Sequence, residues 1–208
     1  MCIRTAICAL FVVLVFNGMN SAVFARDVAY TEVSSNSKIV STLNVLKNHN
    51  ATSHNVLKTI LGDNLTHKPI KIMFYNLSSM GFEFEKMDAV ACKKRNSDRI
   101  YILINDIHKN APPEALASIL SHETIHQDDE SSLAEEVTGW TNEAKSWLFY
   151  TRTNPNLKYQ DCALVRRLNT LADLYAKAGY TSEKIADTIY SNLGYASLPQ
   201  YSQGFGKI

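Results

Sequence analysis

Arg99-Ile100-Tyr101-Ile102-Leu103-Ile104-Asn105 and, a few residues on, Pro112-Pro113-Glu114-Ala115-Leu116-Ala117-Ser118-Ile119-Leu120-Ser121-His122-Glu123-Thr124-Ile125-His126-Gln127 mark where this chain changes its hydrophobic period. The first segment, rich in isoleucine with one tyrosine, reads as a strand. The second opens with prolines and Glu114, residues suited to a first helical turn, and its apolar positions Ala115, Leu116 and Ile119 fall on one face. Just upstream, Met87 to Lys93 reads as another strand, joined to the first by the polar turn Lys94-Arg95-Asn96-Ser97-Asp98 to make a hairpin. Pro69 to Tyr75 gives a third strand with partial alternation, preceded by helices over Lys38 to Asn48 and His54 to Leu61, the latter stopped by Gly62-Asp63-Asn64. After the hairpin the period stays helical, over Pro112 to Gln127, Ser132 to Thr151, Asp161 to Ala178 and Ser182 to Asn192. The expected fold is α+β, a small sheet followed by a mainly helical half.

The N-terminus reads differently. Met1 to Arg4 is a short positive start, Thr5 to Phe16 an apolar run, and Val23-Phe24-Ala25 a small-residue cleavage site. Residues 1 to 25 are therefore expected to be a secretory signal peptide, which predicts a secreted or periplasmic protein. The apolar run is shorter than the roughly 18 residues of a membrane span, so no stable membrane insertion is expected once it is removed. Residues 26 to 208 suffice for one domain with a sizeable core. The net charge of +1 argues against nucleic acid or an anionic membrane as partner. Arg166-Arg167 and Lys93-Lys94-Arg95 read as solvated faces or turns, and the aromatic tail from Gly194 onward as packing across the helices. Cys92 and Cys162, the cysteines left in an oxidising compartment, are expected to form one disulfide.

Chemistry is concentrated in His122-Glu123-Thr124-Ile125-His126. Two imidazoles four residues apart share a helix face and can hold one metal ion, with the intervening carboxylate placed to take a proton from a water in the open position. These groups fall within or beside the apolar face of their helix, and burying them is unfavourable without a partner such as a metal.

A catalytic zinc needs a third protein ligand, and the short link after His126 brings the next helix alongside. That helix offers Glu135, Glu136 and Glu143, against an apolar stripe of Leu133, Val137, Trp140, Ala144, Trp147 and Leu148. Glu136 lies about 70° from the middle of the stripe and Glu143 about 90°, on the same side, while Glu135 points away as a solvated charge. Glu136 is the expected third ligand, with Glu143 in reserve or orienting a histidine.

From Met87 to Trp147 the chain resembles the zincin metallopeptidases, in particular the gluzincins, in which an HExxH helix follows a small sheet and a later Glu completes the site. The resemblance implies that His122 and His126 bind zinc, that Glu123 is the general base, and that the substrate is a peptide or protein. Ser132 stands where the metzincins carry a third histidine, and Glu136 comes sooner than the third ligand of thermolysin-like enzymes. Peptide deformylases use an upstream cysteine instead, which keeps Cys92 as an alternative ligand. Tyr175, Tyr180, Tyr190, Tyr195 and His108 are candidates to steady the oxyanion, and the strand Tyr101 to Asn105, as a sheet edge, could pair with an extended substrate. The expectation is an exported zinc-dependent peptidase; the alternative is a non-catalytic zinc-binding or interaction protein on the same scaffold.

Overall fold

A computed structural model describes residues 28–48, 50–62, 67–93, 98–127 and 131–202. The signal-peptide segment 1–25 and most of the hairpin turn lie outside the described residues. A short helix α1 (Tyr30–Val33) leads into α2 (Ser37–Lys47) and α3 (Ala51–Leu61). Asn36 caps α2 by accepting from the Lys38 and Ile39 amides, and Asn50 caps α3 by accepting from Ser53. Gly62 ends α3 at φ 61°, where a Cβ would lie 2.3 Å from the His67 carbonyl oxygen.

Three strands follow, β1 (Lys71–Tyr75), β2 (Ala89–Lys93) and β3 (Ile100–Asn105), in the sheet order β1-β3-β2. β3 runs parallel to β1 and antiparallel to β2, so the expected hairpin is present. The expectation that Tyr101 to Asn105 is a sheet edge is overturned: β3 is the central strand, and β2 is the edge. Sheet order depends on which strand the remote β1 joins, and no local pattern encodes that. Ile72, Ile102, Ile104 and Ala89 turn one sheet face into the main core, where they meet Leu43, Leu116 and Trp147.

The helical half consists of α4 (Pro113–Glu123), α5 (Leu133–Thr153), α6 (Ala163–Lys177) and α7 (Glu183–Tyr190). α4 is buried along nearly its whole length and packs against α5, a contact that Ser146 tightens by donating to the Ser121 hydroxyl at 3.1 Å. The Trp147 indole N–H reaches Asn169 Oδ1 at 2.9 Å and ties α5 to α6. A second, smaller core of Ala144, Leu171, Tyr175, Ile185 and Ile189 joins α5 to α6 and α7.

Further expectations need correction. α4 ends at Glu123, short of Gln127: the Thr124 amide still donates to the Leu120 carbonyl, but the next amides tighten to three-residue steps, Ile125 to His122 and His126 to Glu123. Glu135 is no solvated charge. It is buried in a capping box, its amide donating to Ser132 Oγ and its carboxylate accepting from that hydroxyl at 3.1 Å. Cys92 and Cys162 are both free: Cys92 sits on the edge strand, and Cys162 precedes α6 against the main core. Among the described residues no helix is long and apolar enough to cross a membrane.

Candidate metal centre and cleft

His122 stands on the last turn of α4, His126 just beyond it, and Glu136 in the first turn of α5. Although α4 stops between the histidines, the tightened turn keeps their rings together, 5.4 Å between centroids. The Glu136 carboxylate spans both, Oε2 at 3.7 Å from His122 Nε2 and Oε1 at 3.6 Å from His126 Nε2. One ligand atom from each residue lies within 4.8 Å of the others. A tetrahedral zinc with bonds of about 2.1 Å holds its ligand atoms about 3.4 Å apart, so small movements would close this set on an ion. The geometry brings together His122, His126 and Glu136, the expected ligands. Cys92 stands outside this cluster, on the cleft wall, with its thiol pushed up by burial and by the nearby Glu123 charge.

Glu143 takes the other role foreseen for it. Its Oε2 lies 3.4 Å from His122 Nδ1, on the side of the ring away from Glu136, where it fixes the ring and leaves Nε2 facing the cluster. Burial alone would lower the proton affinity of His122, but its contacts with Glu136 and Glu143 and the charge of Glu123 push its pKa up to about 10. A metal needs the neutral ring. Zinc uptake near pH 7.5 is therefore expected to release the His122 proton, and affinity to fall about tenfold per pH unit toward acid. Zinc titrations in buffers of different ionisation enthalpy measure the release, and uptake without it would show a ring neutral before loading.

Glu123 is buried beside the cluster, and desolvation, together with the charges of Glu136 and Glu143, lifts its carboxyl to about 7 against the pull of His122. The Ala91 amide of β2 faces its carboxylate and favours the charged form. The register explains why that amide is available. Asn105 donates to the Asp88 carbonyl at 2.8 Å, so this pair, then Val90 with Leu103 and Cys92 with Tyr101, face each other through hydrogen bonds. The alternation turns the amides and carbonyls of Ala89 and Ala91 outward, toward the cleft.

The cleft encloses about 570 Å³ between β2, α4, α5 and the chain end. Of the four tyrosines named from the sequence, Tyr195 lines it near Glu136, its hydroxyl held well above the usual tyrosine range by burial and by that carboxylate's charge. Tyr175 is buried in the second core, and Tyr180 and Tyr190 are exposed. His108 does not line the cleft; it is buried against Asp88 Oδ1 at 2.6 Å. The tail does pack across the helices, with the Pro199 and Gln200 carbonyls accepting from Leu133 and Ala134, but it also delivers Tyr195.

Two residues escaped the sequence reading. Gly139 lies under the His122 ring: a Cβ there would stand 2.5 Å from Cδ2 and 2.7 Å from Nε2. The signal was a glycine inside a long helix, between Glu136 and Glu143 on the same face. Arg167, taken for a solvated charge, enters the cleft and pairs with Glu143 and Asp88. Its spacing from Leu164, Leu168 and Leu171 puts it in the buried stripe of α6, a phase the charge obscured. Comparison with known protein families, curated protein sequences and solved structures finds no match.

Proposed function

We propose that this chain is an exported, zincin-like zinc peptidase that hydrolyses peptide bonds in the cleft between β2 and the α4–α5 pair. The observation that carries the reading is Glu123. A site that merely holds a metal has no use for a buried carboxylate beside the ligand cluster, facing the edge strand across the cleft and with proton affinity near neutrality. His122, His126 and Glu136 would hold the ion, which when bound supplies Lewis acidity and lowers the pKa of a water toward 7.

The chain's own residues account for the remaining steps. An extended peptide adds to β2 through the outward amide and carbonyl of Ala89 and the carbonyl of Ala91, which takes over for β2 the pairing first expected of the central strand. Glu123, oriented by the Ala91 amide, removes a proton from the attacking water and delivers it to the departing amine. Tyr195, its phenol kept protonated, donates to the carbonyl oxygen as negative charge develops there.

Metal analysis of the purified protein beside two variants tests the ligand set. Glu136→Ala is expected to lose zinc on dialysis, whereas Glu143→Ala keeps it with affinity about 10–100-fold weaker, the usual effect of removing an outer carboxylate. Zinc retained at full affinity by both variants would overturn the assignment.

A further inference from the structure

Arg167 touches none of the proposed ligands, yet it joins the two walls of the cleft. From α6 its terminal nitrogens reach both oxygens of Glu143 on α5, Nη1 at 3.4 Å from Oε2 and Nη2 in closer contact with Oε1. Its Nε lies in ion-pair contact with Oδ2 of Asp88, the residue leading into β2, without the alignment of a hydrogen bond. Asp88 is held from the other side as well, by the buried His108 ring just after β3. Contacts therefore run unbroken from His108 through Asp88, Arg167 and Glu143 to Nδ1 of His122.

We propose that Arg167 is a positioning residue of the metal centre: it clamps Glu143 so that this carboxylate fixes the His122 ring, and through Asp88 it sets the edge strand against the metal ligands. The inference rests on reading the cluster as a metal centre. Glu143 is one of four carboxylates that converge on the cleft, with Asp88, Glu123 and Glu136. Left to their mutual repulsion, these groups would spread apart. The guanidinium draws Glu143 and Asp88 to one point and leaves Glu136 turned toward the histidine nitrogens. A planar fork grips both Glu143 oxygens at fixed angles while its charge holds Asp88; a lysine ammonium is a single point charge on a flexible stem. Glu143 held at both oxygens has one orientation, and its lone pairs toward Nδ1 then dictate the angle at which Nε2 faces the ion.

The test uses the full chain loaded with Co²⁺, whose visible spectrum reports ligand geometry and whose titration gives an affinity without any substrate. Arg167→Gln is expected to bind Co²⁺ about 10–100-fold more weakly than the unsubstituted protein and with an altered spectrum. Arg167→Lys should recover only part of the loss. If Arg167 acts through Glu143, adding Arg167→Gln to Glu143→Ala produces little further change in affinity, a coupling that a double-mutant cycle isolates. Unchanged affinity and spectrum in Arg167→Gln, or losses that simply add in the double variant, would overturn the proposal. Should Arg167→Gln fail to fold, Arg167→Lys decides alone: a several-fold weaker Kd with a shifted spectrum supports the clamp, and equality with the unsubstituted protein refutes it. If the unsubstituted protein binds no Co²⁺, the metal-centre reading itself falls, a result distinct from loss of the clamp alone.

Discussion

Glu123→Gln is expected to reduce peptide hydrolysis about 10²–10⁴-fold, the range general bases contribute, while zinc content stays the same. Glutamine keeps the length of the side chain and an oxygen that can accept from the Ala91 amide, so the cleft should hold its shape. It cannot take a proton. Because Glu123 is not one of the clustered ligand residues, the metal should remain. A carboxylate near its ordinary pKa would be a feeble base toward water at neutral pH; burial lifts this one to about 7, and a bound cation would draw it back down by favouring the charged form. Mass-spectrometric cleavage of a peptide library, run beside metal analysis of the same samples, reads both quantities. A zinc-loaded unsubstituted protein that cuts nothing would favour the non-catalytic alternative, and a Glu123→Gln variant with undiminished rate would remove Glu123 from the chemistry.

Charge balance explains why the cleft needs so many partners. Ionised, Glu123, Glu136, Glu143 and Asp88 bring four negative charges to one cavity. Arg167 offsets part of this, and its charge, with hydrogen bonds from the histidines, holds Glu143 and Asp88 below the usual carboxylate range although burial works against them. In the metal-free protein the His122 proton supplies further positive charge. A divalent ion would replace that proton and add a charge, which is why uptake, deprotonation and the ionisation of Glu123 belong to a single linked equilibrium.

What the sequence disclosed follows from the range of the interactions involved. The hairpin and the helices that frame the site rest on local periodicity, and Glu136 was legible because the phase of one helix fixes which carboxylates turn inward. Sheet order is set by the pairing of β3 with a strand some thirty residues upstream, so the edge was misplaced even though each strand was recognised. The end of α4 is a switch to three-residue hydrogen bonds after Thr124, which an apolar pattern running on to Ile125 conceals. Glu135 was misread because only its angle was weighed, although Ser132-Leu133-Ala134-Glu135 spells a capping box. Arg167 was hidden by its own charge: arginines usually face solvent, and the carboxylates that draw this half-buried one into the cleft come from α5 and from the head of β2.

Gly139→Ala sets two effects of different size against each other, and the larger is expected at the metal. Alanine is the better helix former by about 0.5–1 kcal/mol, so α5 itself should gain slightly. The new methyl, however, would lie 2.5 Å from Cδ2, 2.7 Å from Nε2 and 2.9 Å from Cγ of His122, where carbon contacts normally begin near 3.5 Å. The ring has little room to yield, since Glu143 holds Nδ1 on one side and Glu136 faces Nε2 on the other. It must tilt or α5 must draw back by about 1 Å, and either movement separates Nε2 from the Glu136 oxygen at the point where an ion would sit. Zinc affinity, measured by competition with a chromophoric chelator, is expected to fall at least as far as when an outer carboxylate is removed, about 10–100-fold, with hydrolysis falling alongside it. The thermal midpoint of the metal-free variant should move much less, because the helical gain and the local crowding oppose each other. That divergence is the signature of a glycine kept for the histidine above it; equal losses of metal-free stability and zinc affinity would instead mark Gly139 as a packing residue of the α4–α5 contact.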